Sequence, residues 1–114
     1  MSSYAQTWRR RRQAEAERRE AWRQRALASL PALSAVLVDL GATRIIAFGS
    51  IIHGDVSGEP DIDLYVEGLA PERVAEATGR LFLTAPLPVD LLVAGSGRPE
   101  IEARARAEGV VLHG

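Results

Sequence analysis

Asp61 and Asp63 stand two residues apart in the run Pro60-Asp61-Ile62-Asp63-Leu64, and a third aspartate, Asp90, interrupts the apolar run Pro88-Val89-Asp90-Leu91-Leu92-Val93. Residues two apart on an extended strand point to the same side, so Asp61 and Asp63 present their carboxylates together. Neighbouring carboxylates resist ionisation unless a cation lies between them. Magnesium removes that conflict, because it takes oxygen ligands and often shares its coordination with substrate phosphates. If the strand bearing Asp90 pairs beside Asp61–Glu67, a three-carboxylate cluster results. Such a cluster can hold two metal ions about 3.5–4 Å apart, the arrangement used for phosphoryl and nucleotidyl transfer. Taken singly, each aspartate also reads as a solvated residue or a turn former, and the combination carries the weight.

A second feature precedes the aspartates. Phe48-Gly49-Ser50 ends an apolar strand on a glycine and a small hydroxyl residue. Backbone N–H groups at a strand-to-helix turn form a phosphate site, glycine lets the backbone approach, and Ser50 can donate to a phosphate oxygen. A Gly-Ser pair in isolation reads as an ordinary turn.

The surrounding elements must position these groups. Residues 4–30 are rich in Ala, Arg, Glu and Gln and read as one long helix, with Glu15 and Arg19 as an i, i+4 ion pair. Pro31 is expected to kink or restart it. A second segment reaches about Leu40, with Leu33, Val36, Leu37 and Leu40 on one apolar face and Gly41 as the C-terminal cap. Arg44–Phe48 reads as a short buried strand. Residues 54–60 form a loop by composition, and Asp61–Glu67 alternates as a half-buried strand. Residues 71–83 read as a helix with Val74, Ala77 and Leu81, and Phe82 as a further candidate, facing the core. Val89–Ala94 is a third strand, Ile101–Glu108 a short helix and Val110–Leu112 an edge strand. This order predicts an α/β (α+β) sandwich with a small mixed sheet and helices packed mainly on one face.

Composition narrows the rest. A chain of 114 residues predicts one compact unit, with residues 1–30 as an arginine-rich helix and 31–114 as the domain proper. The absence of cysteine excludes disulfides, zinc thiolates and thiol catalysis. No apolar run nears the ~20 residues that span a bilayer, and no apolar signal core follows the N-terminal arginines. A cytoplasmic location without membrane contact is the simplest expectation. Residues 1–28 hold eight arginines and three glutamates, whereas the remainder holds six arginines and twelve acids. The run Arg9–Arg12 invites a nucleic-acid reading, but acids are interleaved after Ala14 and the overall charge is −1, which favours a solvated or partner-facing helix. Trp8 and Trp22 lie about four helical turns apart on one stripe and predict a docking surface for another protein or subunit, a hetero-oligomer through this helix being one such arrangement. Tyr65 reads as either a site-shaping or a packing residue.

The run Phe48-Gly49-Ser50-(x)₃-Gly54-Asp55, followed by Asp61-Ile62-Asp63-Leu64 and by Asp90 on a later strand, resembles the signature of the polymerase-β-like nucleotidyltransferases, in particular their minimal (MNT) branch. Gly68-Leu69 and Glu108-Gly109-Val110-Val111-Leu112 are similar to that branch too, and the resemblance covers roughly residues 30–114. It implies that Asp61, Asp63 and Asp90 bind magnesium, with two ions expected, while Gly49 and Ser50 hold the triphosphate of ATP. Asp90 would also help deprotonate an attacking hydroxyl. The implied role is that of an antitoxin that transfers AMP to a tyrosine of a HEPN-domain toxin, or binds the toxin directly. Two positions depart from the pattern: Ile52-His53 stands where Ala-Arg is usual, and Pro60 where Ser is usual. The missing arginine would touch phosphate, and neither departure removes a metal ligand.

Three functions therefore stand as expectations. The first is nucleotidyl transfer to a protein partner. The second is neutralisation of that partner by binding, with weak chemistry or none. The third is transfer to a small molecule or RNA, which ranks last because so short a chain has little room for an acceptor-binding domain.

Overall fold

The structure, a computed structural model, describes residues 3–54 and 60–114. Asp55 and most of the loop expected over 54–60 therefore lie outside the described residues. A single helix, α1, runs from Ser3 to Asp39. At about 1.5 Å per residue it approaches the length of the whole molecule, 62 Å along its longest axis. The restart expected at Pro31 does not occur, because α1 continues through it. A proline loses the bond to the carbonyl four residues earlier and its ring crowds that carbonyl, but here Leu30 and Leu33 on either side are clamped in the core.

Burial divides α1 sharply. Its buried residues are Ala26, Leu30, Leu33, Ser34, Val36 and Leu37, all in the C-terminal part. The spacing of Ala26, Leu30, Leu33 and Leu37 is that of one helical face. The N-terminal part stays outside the core, with Tyr4, Trp8 and Trp22 exposed. The Glu15–Arg19 pair is present at 3.7 Å, and Arg25 lies over the Trp22 ring at 4.4 Å. Gly41 (φ 102°) ends the helix. Its N–H donates to the Val38 carbonyl, and the Ala42 N–H reaches back to Leu37, a pattern that satisfies the last carbonyls through a left-handed residue.

Among the described residues, four strands form one sheet in the order β3-β2-β1-β4. They are β1 (Arg44–Phe48), β2 (Ile62–Glu67), β3 (Val89–Val93) and β4 (Val110–His113). β1 pairs antiparallel with β2 and β4, whereas β2 and β3 are parallel. The parallel pair needs a crossover, supplied by a 3₁₀ turn at Pro71–Arg73 and the helix α3 (Val74–Thr84). A one-turn helix, α2 (Ser50–His53), follows β1, and α4 (Pro99–Glu108) precedes β4. The architecture is mixed α/β with a long N-terminal helix, as the element order predicts.

The main core lies between one sheet face and helices α1 and α3, around Leu33, Leu37, Ile45, Ile62, Leu64, Val66, Ala77 and Leu81. A smaller cluster, Ile46, Tyr65, Leu92 and Ala105, fills the opposite face beneath α4. The half-buried reading of Asp61–Glu67 is thus corrected: Tyr65 is 1% exposed because α4 covers its face. Phe82, a candidate for the core, is instead 78% exposed, since the α3 face is set by Ala77 and Leu81. No helix among the described residues is long and apolar enough to cross a membrane.

Candidate functional site

The β2–β3 register decides where the aspartates fall. Asp63 and Asp90 are direct partners on adjacent parallel strands, which lie about 4.8 Å apart. Because side chains alternate, both carboxylates share the sheet face of Tyr65 and Leu92. α4 covers the Tyr65 end of that face and leaves the aspartate end open. The result is a cavity of about 550 Å³ lined by Phe48, Gly49, Ser50, His53, Asp63 and Asp90, with Arg98, Ile101, Arg104 and Glu108 on the α4 side. Asp63, Asp90, Gly49 and Ser50, separated by up to 41 positions in sequence, thus meet at one site. Asp61 is exposed, precedes β2 and does not line the cavity. Its charge nevertheless acts on Asp63.

That influence is visible in the Asp63 carboxyl, which is pushed up from 3.8 to about 6. Burial is the main cause, followed by repulsion from Asp61 and then from Asp90. Such a carboxyl favours a neighbouring cation once ionised. Among the described residues, no group of three or more His, Cys, Asp or Glu is arranged to hold a metal unaided. The donor set fits an ion bound by two carboxylates and completed by substrate oxygens, which is how magnesium commonly binds. It does not form a closed protein cage.

Gly49 is required by geometry twice. Its φ of 83° and ψ of −161° lie in a region open essentially to glycine alone. A Cβ at this position would also collide with the Asp63 carboxylate. The antiparallel register explains the proximity, since Phe48 is the partner of Asp63 and Gly49 follows at once. Within α2 the first internal bonds run from the Ile52 and His53 N–H groups to the Gly49 carbonyl, so the Ser50 and Ile51 amides come before the internal ladder begins.

Several contributors to the site are not legible in the sequence. Arg23, within the arginine-rich stretch, donates from Nε to the Ile51 carbonyl at 2.8 Å, tying α1 to the turn that carries Gly49-Ser50. Arg98 and Arg104 enter from α4 and the turn before it. Their one sequence signal is that Ile101, Arg104 and Glu108 fall on one helical face, but only packing selects the face that meets the sheet. Glu102 is buried and accepts from the Gly95 N–H at 3.1 and 3.3 Å, which fixes the β3–α4 turn. His53 lies 3.7 Å from Glu108. Tyr65 is a packing residue: its hydroxyl donates to Glu67 at 2.7 Å and accepts from Arg106 at 3.1 Å, away from the cavity lining.

No family model matches the chain, and no curated protein matches it.

Proposed function

We propose that this protein is a magnesium-dependent nucleotidyltransferase that moves AMP from ATP to a hydroxyl of a protein partner. The observation that carries the reading is the pairing of Asp63 with Asp90 across β2 and β3, with Gly49 packed against Asp63 and Ser50 lining the same cavity. Carboxylates for a metal and backbone donors for phosphate then lie in one cavity. Asp63 and Asp90 would hold magnesium, with Asp61 adding negative charge alongside and a second ion accommodated as substrate oxygens arrive. When bound, magnesium would neutralise phosphate charge and favour departure of pyrophosphate. Gly49 and Ser50 orient the triphosphate. Asp90, at the exposed edge of the sheet, accepts the proton of the attacking hydroxyl as its oxygen bonds to the α-phosphorus. The bond from that phosphorus to the bridging oxygen breaks, and pyrophosphate leaves.

The resemblance to minimal nucleotidyltransferases suggests a HEPN-domain toxin as partner, modified on tyrosine, with this chain as its cytoplasmic antitoxin. The N-terminal half of α1, whose Tyr4, Trp8 and Trp22 are exposed, supports a protein partner and would supply the contact. It equally favours the second reading, neutralisation by binding alone. Incubation with labelled ATP, magnesium and the HEPN partner separates the two. Label that appears on the partner and is lost with Asp63→Asn and Asp90→Asn supports transfer. Neutralisation without label, unchanged in both variants, would leave only binding.

A further inference from the structure

The cavity has two walls of opposite charge. Asp63 and Asp90 line the sheet side, and Arg98 and Arg104 line the α4 side. The other arginines nearby are engaged: Arg106 with Glu102 and the Tyr65 hydroxyl, Arg23 with Ile51 and Glu20. Arg80, further off, pairs with Asp39. Among the described residues, Arg98 and Arg104 make neither an ion pair nor a side-chain hydrogen bond, although Asp63, Asp90 and Glu108 line the same cavity. Two uncommitted guanidinium groups across a cavity from a carboxylate pair suit a ligand that is itself bipolar, a metal cation bridged to an anion. Guanidinium groups bind phosphate oxygens through paired N–H donors. His53, the one basic residue of the Gly49–Gly54 turn, faces Glu108 at 3.7 Å and is a weak candidate for that duty. The segment before Arg98 is held in place by the buried Glu102 through the Gly95 N–H, so that wall is anchored.

We propose that Arg98 and Arg104 form the phosphate subsite of this cavity and hold the terminal phosphates of a bound nucleoside triphosphate. The assignment rests on the nucleotide reading above. It places the cationic half of the site on α4 and the turn before it, after the aspartates in sequence and opposite them in space. Tight binding then needs both walls, with metal on one side and phosphate oxygens on the other.

Calorimetric titration of the full chain tests this, using magnesium with a non-hydrolysable α,β-methylene ATP analogue, AMP, and inorganic tripolyphosphate as probes. Arg98→Ala and Arg104→Ala should each weaken the triphosphate analogue about 10-fold or more, as expected for a lost charge-assisted bond. AMP affinity should change little, and lysine at either position should restore part of the loss. Both side chains are exposed, so thermal midpoints should stay near wild type. Retention of wild-type triphosphate affinity in the double variant would overturn the proposal, as would equal losses for AMP and the triphosphate. Arginine-dependent binding of tripolyphosphate without binding of either nucleotide would uphold the phosphate subsite and remove the nucleotide reading. A wild-type chain that binds none of the probes would remove both.

Discussion

Replacing Asp63 by asparagine should stabilise the metal-free protein while removing its response to magnesium. The folded chain holds the Asp63 carboxyl at about 6, against 3.8 ordinarily, because of burial and then of Asp61 and Asp90. A group whose folded value is raised binds its proton more tightly when folded. Its destabilising effect is therefore absent below about pH 3.8, grows through the interval, and is complete above about pH 6. At about 1.36 kcal/mol per pH unit the ceiling is about 3 kcal/mol. Water and salt reach this partly open carboxylate, so about 1–2 kcal/mol is the expected penalty. For a domain of this size that corresponds to roughly 4–8 °C in melting temperature.

The assay is thermal or urea unfolding from pH 4 to pH 8 in the presence of a chelator, on wild type and Asp63→Asn. Other carboxyls titrate in both proteins, so the informative quantity is the difference between the two curves. It should be small near pH 4 and widen in favour of the variant up to about pH 6.5. Added magnesium should close the gap at pH 8 by stabilising wild type through binding to the folded state, and should leave the variant unmoved. A difference that stays constant across the pH range, or a variant less stable than wild type at pH 8, would refute the electrostatic account of the site.

Gly49→Ala should lose nucleotide binding and about 1–3 kcal/mol of stability from backbone strain alone, whereas Gly79→Ala, in α3 with open space at the added Cβ, should gain about 0.5–1 kcal/mol. Paired denaturation curves check both. Arg23→Ala removes the charged donor to the Ile51 carbonyl and should cost about 1.5–3 kcal/mol; faster hydrogen exchange at residues 50–54 would locate the loss at α2. Leu81→Ala, at a 1% exposed position, should destabilise by about 2–5 kcal/mol. Phe82→Ala beside it, 78% exposed, should change stability by no more than about 0.5 kcal/mol, as the same unfolding measurement would record.

The elements themselves were largely legible. β1 is found at Arg44–Phe48 because a β-branched run bounded by Gly41 and Gly49 has few alternatives. Gly41 closes α1 as its place after the apolar face predicts, and the strict alternation after Pro60 gives β2. Errors arose where local pattern met tertiary packing. Pro31 reads as a kink or a restart; the helix does not restart there, because leucines on both sides are held in the core and carry it through. Phe82 reads as core by its apolarity, but α3 presents Ala77 and Leu81 to the sheet and turns Phe82 to solvent. Tyr65 lies on the polar side of an alternating strand, a side that α4, distant in sequence, closes over.

The aspartates divide in the same way. Sequence determined that Asp63 and Tyr65 share a face, since a two-residue period leaves no other outcome on a strand, and that Gly49-Ser50 terminates the strand before them; Asp61, one residue ahead of β2, falls outside that rule. Which strands become neighbours, and in what register, is settled by long-range pairing that no local pattern encodes. Only the tertiary structure put Asp63 opposite Asp90, left Asp61 outside the cavity, and brought Arg98 and Arg104 across from the pair. The acidic wall was half visible in the chain because strand periodicity is local. The basic wall was not, because a helix offers every face until a sheet selects one.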